Sequence, residues 1–199
     1  MGNYNRIYLD KDKIIIGIDP GTNLLGYGII RMDKKGPHYE TMGVINLRKE
    51  KNHFDKIARI FKEINLLIDK FSPNELALES AFYAKDVQVV QKLGRVQGVV
   101  IAAAINKGIP VSEYAPRKAK MAITGQGAAS KEQVAMMIKR ILKVEDVELP
   151  LDATDALAIA LCHYYQLSNP IASLGNKTDW KKFLDSNPDR VVKVNPKKL

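Results

Sequence analysis

The sequence predicts an α/β fold, a mixed five-stranded sheet flanked by helices. Three observations carry that prediction. Ile14-Ile15-Ile16-Gly17-Ile18 is a short apolar run that ends at Asp19-Pro20-Gly21, as a strand buried on both faces would. Ile57, Ile60, Phe61, Ile64, Leu67, Ile68 and Phe71 then repeat at helical spacing. Glu75-Leu76-Ala77-Leu78-Glu79 follows as a second short strand, and a helical crossover makes it parallel to an earlier one.

The remaining elements follow in order. Residues 24–32 read as a second strand in which Gly26 and Gly28 leave backbone bare beside Asp19. Asp33-Lys34-Lys35-Gly36-Pro37 is a hairpin signal, and residues 39–47 form a third strand that completes an antiparallel meander. Asn52 is placed to cap the first helix, and Ser72-Pro73-Asn74 ends it. Residues 86–106 make a long helix with a stripe of Val87, Val90, Leu93, Val96, Val100 and Ala103. Gly94 and Gly98 on it admit a close neighbour, either the chain's own sheet or a second copy. Residues 109–114 form a fifth strand, and Pro116 opens a helix near its first position. Ser130 and Gln133 form a capping box for a helix reaching about Leu142. Residues 144–149 are an acidic connector, and Asp152-Ala-Thr-Asp155 starts a last helix with an apolar body. Residues 169–199 lack either period and carry seven bases, so the sequence predicts one folded domain over 13–167 and a mobile basic tail over 168–199.

Bulk composition narrows the partner. Lys plus Arg outnumber Asp plus Glu by 31 to 22, a net charge of +9, which favours an anionic partner such as nucleic acid. The single Cys162 forms neither an internal disulfide nor a cysteine zinc site. Residues 1–13 are polar, and the apolar stretch 96–105 is too short to span a bilayer, so a cytoplasmic protein is expected.

Four acids stand at element ends. Asp19 closes the first strand, Glu79 closes the fourth, and Asp152 and Asp155 open the last helix one turn apart. Each has a plain structural alternative: a turn residue, a solvated strand end, or helix-capping acids. With strand one beside strand four, the four converge. Converging carboxylates raise one another's pKa values, and hard divalent cations with oxygen preference relieve that repulsion. The stretch 115–131 adds Arg117, Lys118, Lys120 and Lys131 around a small-residue loop, which suits a phosphate backbone or merely a solvated surface.

Taken in order, these motifs resemble the RuvC-type Holliday junction resolvases of the ribonuclease H-like fold. The matching residues are Gly17-Ile-Asp19-Pro-Gly21 with Gly26-Tyr27-Gly28, then Glu79 and Phe82. Leu93-Gly94-Arg95 with Gly98, Glu113-Tyr114-Ala115, Arg117 and Lys120, and Asp152-Ala-Thr-Asp155-Ala-Leu-Ala-Ile-Ala complete the match. It spans residues 13–166; the first twelve residues and the tail fall outside it. The resemblance implies that Asp19, Glu79, Asp152 and Asp155 bind two magnesium ions, with manganese as a substitute. It implies magnesium-dependent symmetric nicking of four-way junction DNA in recombination and repair, leaving 5′-phosphate and 3′-hydroxyl ends. Lys120 and Lys131 match catalytically important basic positions that would neutralise phosphate charge. Phe82 matches an aromatic that contacts opened bases, with a core phenylalanine as its alternative. Arg95 and Arg117 are backbone-contact candidates. A homodimer and the RuvA–RuvB branch-migration complex are the implied protein partners.

Three other readings share parts of this pattern. The opening Asp-x-Gly also occurs in actin-like kinases and ATPases, but no second copy of the domain is present. An RNA–DNA hybrid nuclease would use the same metal chemistry on another substrate. A junction-binding protein without catalysis would not need all four carboxylates.

Overall fold

A computed structural model describes residues 12–80, 86–144 and 150–168. Five strands form one sheet: β1 (Lys13–Asp19), β2 (Leu24–Asp33), β3 (Gly36–Asn46), β4 (Glu75–Glu79) and β5 (Val111–Tyr114). Their order is β3-β2-β1-β4-β5. β1, β2 and β3 are antiparallel neighbours, whereas β4 pairs parallel to β1 and β5 parallel to β4. The mixed sheet expected from the sequence is present, and β4 pairs with β1, the arrangement on which convergence of the four acids depended.

The β1 apolar run is central because both its faces are covered. Ile16 and Ile18 point to one side, with Leu76 and Leu78 of β4. That side is covered by α1 (His53–Phe71) through Ile60, Ile64 and Ile68, and by α2 (Val87–Asn106) through Val96, Val100, Ala103 and Ala104. Ile15 and Ala77 point the other way, toward α3 (Pro116–Thr124), α4 (Lys131–Leu142) and α5 (Leu151–Ser168). Side chains alternate along a strand. Asp19 therefore shares a face with Ile15 and Gly17, and Glu79 shares it with Ala77.

Local chemistry fixes the helix starts. The Asn52 side chain accepts from the Asp55 N–H at 3.0 Å. Ser130 and Gln133 form the expected capping box, and Pro116 occupies the first turn of α3. The hairpin tightens to a two-residue turn, Lys34-Lys35, because the Asp33 carboxylate accepts from the N–H groups of Lys35 and Gly36. β3 consequently starts at Gly36 rather than at residue 39. β5 starts at Val111, two residues later than the sequence suggested. The tail, the first eleven residues and most of the acidic connector lie outside the described residues.

Helix α5 differs from the others in being buried on every side over residues 153–163. It lies flush on the sheet because three glycines face it. A Cβ on Gly17 would run into the Ala156 carbonyl and sit 2.8 Å from the Ala160 nitrogen. One on Gly26 would run into the Asp152 carbonyl, and one on Gly28 would sit 2.7 Å from the Leu157 nitrogen. The bare backbone at Gly26 and Gly28 thus receives the helix main chain. Gly17→Ala is expected to destabilise the protein by about 3 kcal/mol, since the clash is with backbone that cannot rotate away. Urea denaturation checks this; a midpoint unchanged from the parent protein would contradict the close approach.

Candidate metal centre

The first turn of α5 meets the C-terminal ends of β1 and β4. The last β1–β4 pair is Ile18 with Leu78, so Asp19 and Glu79 leave neighbouring strands at the same end. Asp19 pairs with Gly26 on its other side, and the Asp152 backbone rests over Gly26. Carboxylate oxygens of Asp19, Asp152 and Asp155 come within 4.8 Å of one another, a spacing at which they could share a cation. Glu79 lines the same cleft as Asp19 and Asp155 but is not part of that tight trio.

The cleft encloses about 220 Å³. Asp19, Glu79 and Asp155 line it together with Lys120 and Lys131, and Pro116, Ala119 and Ala158 form its apolar wall. The Lys131 Nζ lies 2.6 Å from Asp155 Oδ2 and 3.4 Å from Asp152 Oδ1. Sequence reasoning treated the two aspartates as possible caps. In the structure α5 begins one residue earlier, at Leu151, and the Pro150 carbonyl accepts the Thr154 N–H at 3.0 Å. Lys131 bridges both carboxylates.

Lys120 is held differently. Its Nζ donates to the Ala129 carbonyl at 2.9 Å. The loop after α3 is therefore not a loose surface segment: Ala129 is buried, and Thr124 Oγ1 bonds the Lys120 carbonyl at 2.8 Å. A lysine ammonium has three donors, so two remain for another acceptor in the cleft. Arg95 and Arg117 are both exposed, on α2 and α3, and neither lines the cleft. Phe82 lies outside the described residues.

Charge repulsion is built into the site. Burial, then the Glu79 and Asp155 charges, push Asp19 from an ordinary 3.8 up to about 8. Burial and Asp155 push Glu79 from 4.5 up to about 7. Burial opposes the charge on Lys131, but its bond to Asp155 and the surrounding acids outweigh this and raise its pKa. The donor set fits a hard divalent cation: clustered carboxylate oxygens whose mutual repulsion is offset only in part, by the one lysine drawn in among them.

These shifts predict how the metal-free fold responds to pH. Between about pH 4 and pH 7 the unfolded chain ionises both acids while the fold retains their protons, and Asp19 alone extends the window to about pH 8. The folded state then binds more protons, so stability falls as pH rises through that window. Above about pH 6.5 His163, which burial pushes down to about 4, is neutral in both states, so in EDTA the melting temperature is expected to drop by a few degrees from pH 6.5 to pH 8, and magnesium at pH 8 to restore it. Asp19→Asn should flatten this profile; an equally steep profile in the variant would contradict the assignment.

Comparison with known proteins agrees with the geometry. A family model described as crossover junction endodeoxyribonuclease RuvC matches residues 15–163. A protein of that name from Porphyromonas gingivalis is 49% identical over 185 residues, covering 91% of this chain and 98% of the relative. Another from Bacteroides fragilis is 49% identical over 183 residues, covering 91% and 97%. Among solved structures, Thermus thermophilus RuvC in complex with Holliday junction substrate is 32% identical, with a TM-score of 0.71 over 77% of this chain and 94% of that one. Family match, identity and fold agree: this chain belongs to the RuvC family of crossover junction endodeoxyribonucleases.

Proposed function

We propose that this chain nicks four-way DNA junctions at the cleft between β1, β4 and α5. The observation that carries this is the meeting of Asp19, Glu79, Asp152 and Asp155 at one end of the sheet, with Lys120 and Lys131 beside them. The four carboxylates hold divalent ions, and magnesium is the expected metal, with manganese able to replace it. Bound metal supplies the activation of water and the stabilisation of the leaving 3′ oxygen that phosphodiester hydrolysis needs. Asp19, Asp152 and Asp155 provide the shared oxygens, and Glu79 adds a carboxylate from the neighbouring strand. Lys120, anchored by Ala129 and lining the cleft, has donors left with which to neutralise the phosphate charge. Lys131 places its charge between the carboxylates and the same space. Water attack on phosphorus with rupture of the bond to O3′ leaves a 5′-phosphate and a 3′-hydroxyl.

The net charge of +9 suits a substrate that is mostly phosphate backbone. Arg95, Arg117 and the basic tail are the candidates for contacts outside the cleft, and Phe82 is the candidate for stacking on opened bases. No described helix is long and apolar enough to cross a membrane, in keeping with a cytoplasmic enzyme of DNA recombination and repair.

A junction has two strands to cut, and α2 offers a surface for a second copy. The sequence left open whether Gly94 and Gly98 pack on the chain's own sheet. Nothing among the described residues lies within 4 Å of a Cβ at either position. The N-terminal half of the expected apolar stripe is also turned outward: Val87 is 81% exposed, and Ile105 at the far end is 64% exposed. Val87, Val90, Gly94, Gly98 and Ile105 follow one side of the helix at spacings of three, four and seven. That small and apolar seam supports a homodimer through α2. The RuvA–RuvB branch-migration complex is the partner expected from family membership alone.

The test is cleavage and binding measured side by side on one synthetic junction. Asp19→Asn is expected to lower cleavage by at least about a hundredfold while junction affinity is retained. Lys120→Ala should slow cleavage by about tenfold or more with a smaller loss of affinity. Unchanged cleavage by Asp19→Asn, or equal losses of binding and cleavage in Lys120→Ala, would contradict these roles.

A further inference from the structure

We propose that Gln97 is a positioning residue for Glu79, replacing a sheet hydrogen bond that Pro20 removes. The proposal rests on the reading above that Glu79 holds metal.

Along β4, alternate residues bond to opposite neighbours. The N–H groups of Leu76 and Ser80 donate toward the β5 side, to the carbonyls of Pro110 and Tyr114, both at 2.9 Å. The main-chain groups of Ala77 and Glu79 therefore face β1. The β1–β4 register runs from Ile15 with Glu75 to Ile18 with Leu78. Extended by one step, it sets Glu79 against Asp19. In a parallel ladder the carbonyl of Glu79 would then accept from the N–H of residue 20. Residue 20 is proline and has no N–H.

The orphaned carbonyl is satisfied from elsewhere. Gln97, in the middle of α2, donates from Nε2 to the Glu79 carbonyl oxygen at 2.9 Å. Its neighbours Val96 and Val100 are buried against the sheet, so the helix turn that carries Gln97 is fixed. This bond holds the last peptide of β4, where the ladder with β1 has stopped. It thereby sets the direction in which the Glu79 carboxylate enters the cleft. Gln97 does not line the cleft, so it acts through Glu79. It also sits on α2 between the buried stripe and the Gly94–Gly98 seam, so the helix proposed to pair two copies is tied to the site in each.

Gln97→Met keeps the side chain's length and removes the donor. Calorimetric titration of the metal-free variant with Mn²⁺ should show a dissociation constant raised by about tenfold. Junction cleavage should fall by a similar factor at limiting metal and recover toward the parent rate at saturating metal. The melting temperature in EDTA should stay close to that of the parent protein. Parent-like Mn²⁺ affinity in Gln97→Met would overturn the proposal. So would a cleavage loss that tracks a lowered melting temperature and does not recover with metal. Asp19→Asn is titrated alongside: if it binds Mn²⁺ as the parent does, the metal site itself is misread and the role of Gln97 falls with it. If it loses Mn²⁺ while Gln97→Met does not, only the positioning role fails.

Discussion

The close approach of α5 to the sheet governs the rest of the molecule. A helix normally rests on a sheet through a layer of side chains. Here Gly17, Gly26 and Gly28 remove that layer, and the helix backbone at Asp152, Ala156 and Leu157 sits where Cβ atoms would otherwise be. Because α5 sinks so far, α3 and α4 close over its outer side, which is why its body is apolar all round. The same approach brings its first turn level with the ends of β1 and β4. Without the glycines, Asp152 and Asp155 would stand farther from Asp19, and one cation could not be shared among them.

The site works against the fold. Burial and mutual repulsion hold Asp19 and Glu79 protonated well above their ordinary range. A stability-optimised protein would not gather such groups, and this is what makes the cluster a candidate functional site. Lys131 offsets part of the repulsion by bridging Asp152 and Asp155. The hydrophobic contacts of α5 and of α1 and α2 on the two faces supply the stability that the cluster spends. Once a divalent metal is bound, the repulsion becomes binding energy, so metal affinity and fold stability are linked.

Much of this was legible in the sequence because local and global signals agreed. The β1 run, the α1 period, the Asn52 cap and the Ser130–Gln133 box each had a single reading, and the structure bears them out. One crossover made β4 parallel to an earlier strand; that this neighbour is β1, so that Asp19 and Glu79 leave the same end of the sheet, is settled by the structure. Other features depend on tertiary distances that no spacing encodes. The Lys131 bridge joins residues 21 and 24 apart across two helices. Gln97 reaches Glu79 from mid-helix, and its only trace in the sequence is the proline that follows Asp19. Which end of the α2 stripe packs on the sheet was left open, because periodicity alone does not say how far a helix extends beyond the sheet it packs on; Val96, Val100 and Ala103 are buried and Val87 is exposed. β5 and β3 shifted at their ends, where ladder bonds rather than residue types decide the limit.

The most direct test of the account is the choice of substrate. End-labelled four-way junction, linear duplex and RNA–DNA hybrid should each be incubated with the protein, with and without magnesium. The account predicts paired, symmetric nicks in the junction only, and only with magnesium, which also requires two sites acting together. Cleavage of the hybrid in preference to the junction, or tight junction binding with no nick under magnesium or manganese, would contradict it.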